Sequence, residues 1–271
     1  MEKITIIVPI HEYNDTVAEY LKKALESVTL LKNNEYVTMS FVGPKEVLSN
    51  VKKLVKSAKF KIESNYYENE NTEFFTQINT AVKFCLTKYF SILEFDDTFY
   101  DYWFSEFEKY VNDGNDASVY MPIVELYDTE GNFGGFANEI AWATSFSAEE
   151  IGYLDLECLK SFVDFNVTGS IINTEDFISV GGLKPSLKIA AWYEFLMRVA
   201  NNKKDIYVIP KAGYRHLVGR DNSYMKLSGE KIALDEGQWL IKKAQEEYEY
   251  NEEREIKYDP NESVEETTDE K

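Results

Sequence analysis

The sequence predicts an α/β fold: a mostly parallel sheet with helices on both faces, followed by a C-terminal helix and an acidic tail. Three observations carry this. Short apolar runs of strand length alternate with stretches whose apolar residues recur at three- and four-residue steps. Such alternation builds βαβ units, whose strands lie parallel. With 271 residues and 44 % hydrophobic content, the chain can also bury one large core.

The elements follow in order. Residues 4–10 read as a buried strand, and Val17, Tyr20, Leu21, Ala24, Leu25 and Val28 form one face of a helix. Val37, Met39 and Phe41 alternate as in a strand, and Val47, Leu48, Val51, Leu54 and Val55 give a second helical stripe. A short strand is expected over 60–62, a helix through Phe75, Ile78, Val82 and Leu86, and a strand over 89–93. Beyond it, 118–124 is strand-like, and 127–138 reads as a mobile polar loop containing glycine. Residues 154–163 look helical, 167–172 extended, and Gly181-Gly182 breaks the chain before a helix over 187–200. A strand over 206–209 precedes a basic patch from Lys211 to Arg220, and a last amphipathic helix is expected to start near Ser228.

Charge restricts the partners. The formal net charge is −19, and the residues from Glu246 onward hold 12 acidic and 3 basic side chains. A protein that neutralises nucleic-acid phosphates needs a surplus of Lys and Arg, so nucleic acid is not the expected partner. The tail reads as a flexible, solvated end or as a docking segment for a basic protein partner. No stretch reaches the roughly 18 to 20 apolar residues of a membrane span, and the N-terminus enters its first strand without a basic leader. A soluble protein of the cytoplasm is expected. Cys85 and Cys158 lie far apart without metal-type spacing and read as buried thiols.

The main site signal is Tyr89-Phe90-Ser91-Ile92-Leu93-Glu94-Phe95-Asp96-Asp97, where three carboxylates crowd the end of a hydrophobic strand. Hard divalent cations take such oxygen ligands, and Mg²⁺ or Mn²⁺ held this way can bridge a diphosphate. An Asp-Asp pair after a strand can also simply cap the next helix. The cluster resembles the metal-binding D-x-D-D stretch of the family 2 glycosyltransferases, and the flanking segments occur in that family's order. Ile6-Ile7-Val8-Pro9-Ile10 resembles the opening strand, Ala24-Leu25-Glu26-Ser27-Val28 the first helix, and Gln77-Ile78-Asn79-Thr80-Ala81 the helix before the metal strand. Val180-Gly181-Gly182-Leu183 resembles the turn before the acceptor-side helix, and Gly213-Tyr214-Arg215-His216 the closing basic segment.

The resemblance implies a GT-A-like (Rossmann-like) nucleotide-sugar-binding domain over residues 1–228, with the helix and acidic tail over 229–271. Carried over by position, Glu94, Asp96, Asp97 and His216 would hold Mn²⁺ or Mg²⁺. Arg215 and Arg220 would meet the phosphates of a nucleotide-sugar donor, and Pro9 and His11 would border the nucleotide. A packed or surface imidazole and solvated cations are the plainer readings of the histidines and arginines.

Two departures stand against full activity. Inverting members of the family place a Glu-Asp pair, the Asp being the base, six residues before an arginine; here Arg198 is present, but the pair is Ala191-Trp192. Glu194 is the nearest carboxylate. Two residues along a helix is a rotation of about 200°, which points it away, and pairing with Arg198 at i+4 is expected. After the second strand, Val42-Gly43-Pro44-Lys45-Glu46 lacks the acidic pair that holds the nucleobase in the family. Three readings therefore stand: a metal-dependent transferase acting on an unknown acceptor, a binding module without turnover, or a pseudoenzyme with a structural or assembly role, for example in a viral particle.

Overall fold

The computed structural model describes residues 2–146, 150–221, 223, 226 and 234–248. Strand β1 (Ile4–Pro9) is buried throughout and leads to α1 (Asp15–Leu30), whose start is capped by the Asn14 side chain accepting the Val17 N–H at 2.9 Å. Next come β2 (Val37–Gly43), α2 (Lys45–Ser57), β3 (Ser64–Glu68) and α3 (Phe74–Val82), the last capped by Glu73. Strand β4 (Tyr89–Ile92) is followed by β5 (Thr98–Phe99) and α4 (Trp103–Asn112). The second half holds β6 (Val119–Tyr127), β7 (Phe133–Ala137), α5 (Leu156–Ser161), β8 (Ile171–Asn173) and α6 (Thr174–Ser179). It closes with α7 (Ala191–Asn201), β9 (Ile206–Leu217) and α8 (Leu234–Glu247).

Among the described residues the strands form one sheet in the order β3-β2-β1-β4-β8-β6-β9-β5, with β7 paired to β6. The first four are parallel, as the βα alternation predicts. The second half is mixed: β8 runs antiparallel to both β4 and β6, whereas β9 runs parallel to β6. Period-two alternation sends Ile4, Ile6 and Val8 into one core and Ile7 into the other. The first core is covered by α1, α2 and α4 through residues such as Leu21, Val51 and Trp103, the second by α3, α6 and α7 through Ile78, Phe177 and Phe195. Helix α8 packs on α7, with Ala244 and Tyr248 buried in the second core.

Several boundaries differ from the sequence reading. The third strand begins at Ser64, beyond residues 60–62, and α3 stops at Val82, leaving Leu86 98 % exposed. The expected loop at 127–138 is largely the β6–β7 hairpin, in which Leu126 opposes Gly135. The basic patch from Lys211 to Arg220 is the second half of β9 and the three residues after it, and the helix over 187–200 is a 3₁₀ segment (Pro185–Ala190) followed by α7. Cys85 is only half-buried, while Cys158 is buried. The expected helix start near Ser228 and the tail beyond Tyr248 lie outside the described residues. No helix among those residues is long and apolar enough to cross a membrane.

Candidate functional site

Because β1 and β4 are parallel neighbours, their carboxyl ends open on the same side of the sheet, the usual place for a ligand in such folds. The carboxylate-rich segment leaves β4 there. It is held in place by Leu93 N–H donating to Ile7 O at 3.0 Å and by Glu94 N–H donating to the Tyr214 hydroxyl at 3.0 Å. Tyr214 reaches this far because Gly169 has no side chain: a Cβ there would lie 2.4 Å from the Tyr214 ring, and Gly169 has φ +76°.

On β9 the residues alternate. Tyr214 and His216 reach the carboxylates, whereas Arg215 pairs with Glu125 at 3.2 Å and lies over the Tyr127 ring. The sequence-predicted residues therefore separate. Asp97, fully buried, accepts from the Leu217 N–H at 2.8 Å through one oxygen and lies 2.8 Å from His216 Nδ1 through the other. Ligand atoms of Glu94, Asp97 and His216 lie within 4.8 Å of one another. Asp96 turns instead to Arg220, 2.5 Å away, whose guanidinium also faces Glu12 at 3.6 Å and rests over Phe95. His11 leans on the same Phe95 ring, and Pro9 is the buried last residue of β1.

The electrostatics follow from this packing. Burial, then the charge of Asp97, pushes the Glu94 carboxyl up to about 8. Burial and Asp97 also raise Asp96, outweighing Arg220. Burial disfavours a charged His216, but Asp97, with Glu94 and Asp96 behind it, prevails and raises the imidazole to about 10. Burial lowers His11, reinforced by Arg220 and opposed by Glu12. The Glu94 and Asp97 carboxylates are the kind of oxygen ligand that Mn²⁺ or Mg²⁺ takes, the His216 imidazole lies beside them, and a cation there would relieve the repulsion that raises Glu94.

A cleft of about 270 Å³ opens beside the cluster, with Glu94, His216, Phe75, Asp164, Trp192 and Tyr193 among its walls. Three larger hollows, of about 840, 920 and 540 Å³, are lined by other residues, the last of them by Glu12 and Arg220. The first sits at the amino ends of β1 and β2, beside Lys3 and Thr38, away from the ligand-binding end of the sheet. Trp192, at the position the resemblance gives to the base, lines the cleft and packs edge-on against Phe75 and Phe195. Glu194 faces away from it. Its carboxylate accepts from Arg198 at 2.9 and 2.8 Å, from Lys184 at 2.7 Å and from the Tyr248 hydroxyl. Arg198 in turn donates to the carbonyls of Val180 and Gly182, which ties the Gly-Gly turn to α7.

The structure also brings Tyr214, Glu12, Phe95 and Asp164 to the site or its cleft, none of which the sequence marks as a site residue. For Tyr214 the period-two register with His216 was an available signal; the other three are brought in by loop geometry that leaves no local pattern.

No family model and no curated protein matches the chain. Solved structures do. S. aureus TarS 1–349 in complex with UDP-GlcNAc superposes with a TM-score of 0.63 at 15 % identity, over 89 % of this chain and 65 % of that one. Mannosyltransferase PcManGT from Pyrobaculum calidifontis, in complex with GDP-Man and Mn²⁺, gives 0.60 at 13 % identity, over 82 % and 58 %. The chain thus spans less than two thirds of the length of these proteins. At such identities the likeness establishes the fold, a GT-A-like glycosyltransferase fold, and nothing finer.

Proposed function

We propose that this chain is a GT-A glycosyltransferase that binds a nucleotide-sugar donor at the carboxyl ends of β1 and β4. The observation that carries this is the convergence of Glu94, Asp97 and His216 at the end of β4, within 4.8 Å, beside an aromatic-walled cleft. Glu94, Asp97 and His216 would hold the divalent ion. When bound, that ion supplies positive charge to the donor diphosphate and to the leaving group.

The chain's own residues do the rest. His216 gives up its proton on entering the ligand set, since a ligating imidazole is neutral. Arg220, held over Phe95 between Asp96 and Glu12, can exchange a carboxylate for a phosphate oxygen and stabilise the departing diphosphate. Trp192, Tyr193 and Phe75 present rings to the sugar. Pro9 and His11 border the nucleotide. Arg215, committed to Glu125 on the other face of β9, is better placed to fix the β6–β9 edge than to touch phosphate.

A second reading has a specific observation behind it. Trp192 stands where a base would, which favours a protein that binds a donor without turning it over, or an assembly role resting on the fold alone. A panel of nucleotide sugars including UDP-GlcNAc and GDP-mannose, tested for Mn²⁺-dependent binding and hydrolysis, separates these. Hydrolysis abolished by EDTA supports the transferase; binding without hydrolysis supports the module. If no donor binds, the assembly reading takes their place.

A further inference from the structure

We infer that Asp164 is the carboxylate that takes the proton from the acceptor hydroxyl. The inference rests on the transferase reading and supplies the base that position 192 lacks. Among the described residues lining the cleft, the titratable side chains are Glu94, His216, Tyr193 and Asp164. Glu94 and His216 belong to the cation cluster. The Tyr193 hydroxyl donates to Leu159 O at 2.9 Å. Glu194, the carboxylate nearest in sequence to the expected base, is locked on the far side of α7 by Arg198 and Lys184. Asp164 alone is uncommitted: it is exposed, and its carboxylate has no hydrogen-bond or ion-pair partner among the described residues.

A base must also be held still. The main chain beside Asp164 is anchored on both sides. Asn166 N–H donates to Asn138 Oδ1 at 2.9 Å, and the buried Asn138 amide donates to Asn166 O and Pro122 O, each at 2.8 Å. Asn166 Oδ1 accepts from the Thr168 N–H at 2.9 Å, and Gly169 N–H reaches Ile92 O at the end of β4. On the other side Phe162 packs on the buried Phe165, their ring centres 5.1 Å apart. Asp164 therefore projects from a segment hydrogen-bonded to the strand that carries the cation cluster, while its carboxylate stays open to an incoming hydroxyl.

The step balances without a further reactant. The acceptor oxygen attacks C1 of the donor sugar and forms the C1–O bond as the bond from C1 to the phosphate oxygen breaks. The electron pair of that bond leaves with the nucleoside diphosphate. Asp164 takes the acceptor's proton, becomes a carboxylic acid, and returns the proton to water after product release. With water as acceptor the product is the reducing sugar.

The test compares wild type with Asp164→Asn in Mn²⁺-dependent hydrolysis of whichever panel sugar the wild type hydrolyses, alongside calorimetric binding of UDP with Mn²⁺. The substitution is nearly isosteric at an exposed position, so the fold is retained, and an unchanged far-UV spectrum verifies this. The expected result is a fall in kcat of about 10² to 10⁴-fold, the usual share of a positioned base, with diphosphate affinity unchanged within about twofold. Turnover within about threefold of wild type overturns this inference alone. Loss of diphosphate binding in Asp164→Asn overturns it too, by making the residue part of the donor site. A wild type that binds donor but never hydrolyses it also counts against a working base. A wild type that binds no donor removes the transferase reading itself.

Discussion

The Glu194–Arg198 pair offers a quantitative test of how the Gly181-Gly182 turn is held. Glu194 is 3 % exposed and Arg198 7 %, and the guanidinium is shared between the carboxylate and the carbonyls of Val180 and Gly182. Glu194→Ala leaves that buried cation with two carbonyls and no counter-charge. Breaking a buried pair from one side costs about 3 to 5 kcal/mol. The lower end applies, because Lys184, the other cation on Glu194, has a side chain 48 % exposed and can turn to water. For a chain of this size about 3 kcal/mol corresponds to a melting temperature lower by about 6 to 12 °C. Thermal melts followed by far-UV circular dichroism measure it. The double substitution Glu194→Ala with Arg198→Met, which leaves no orphan charge, should recover a large part of the loss. A single mutant melting within about 2 °C of wild type would refute the reasoning.

The same group sets a pH dependence. Burial would raise the Glu194 carboxyl, but hydrogen bonds from Arg198, Lys184 and Tyr248 outweigh it and hold it below its ordinary 4.5. A depressed carboxyl contributes stability above its unfolded value and loses it as pH falls through the folded one, so the gap between wild type and Glu194→Gln in thermal melts should close below 4.5. Gly169→Ala should destabilise by about 3 kcal/mol, since the added Cβ meets the Tyr214 ring in a left-handed backbone; weakened Mn²⁺ binding in titration should accompany the lower melting temperature. Restoring the family's pair is not a neutral change either. Ala191 is fully buried, so Ala191→Glu should cost several kcal/mol in a denaturant melt, whereas Trp192→Asp alone removes a ring from the cleft wall and, with Asp164 as the base, should lower donor hydrolysis.

The N-terminal half was legible because its periodicities are local. Val17, Leu21, Leu25 and Val28 lie on one helical face, and β1, β2 and β4 are short apolar runs buried on both sides of the sheet. The second half was harder to read for a physical reason. Strand β9 carries Lys211, which is exposed, and Arg215 and His216, whose side chains pair across strands or face the site, so hydrophobic alternation breaks where the strand continues. The β6–β7 hairpin is hidden likewise, since Phe133 and Phe136 point to solvent and Gly134-Gly135 resembles a turn. At the site, spacing placed Glu94, Asp96 and Asp97 together but could not separate them. Only the fold shows that Asp97 turns to His216 and Asp96 to Arg220. Asp164 left no pattern, because its place in the cleft depends on Asn138 and Asn166, 28 positions apart.

The central claim is that Glu94, Asp97 and His216 form a divalent-cation site that receives a nucleoside diphosphate. Titration calorimetry of Mn²⁺ with UDP and with GDP, on wild type and on Asp97→Asn, tests it most directly. The substitution keeps the side-chain volume and the oxygen that accepts the Leu217 N–H, and removes the charge. The wild type should bind diphosphate in a metal-dependent way, and the variant should bind it at least about tenfold more weakly, about 1.4 kcal/mol. Equal affinity in both proteins, or diphosphate binding indifferent to Mn²⁺, would contradict it.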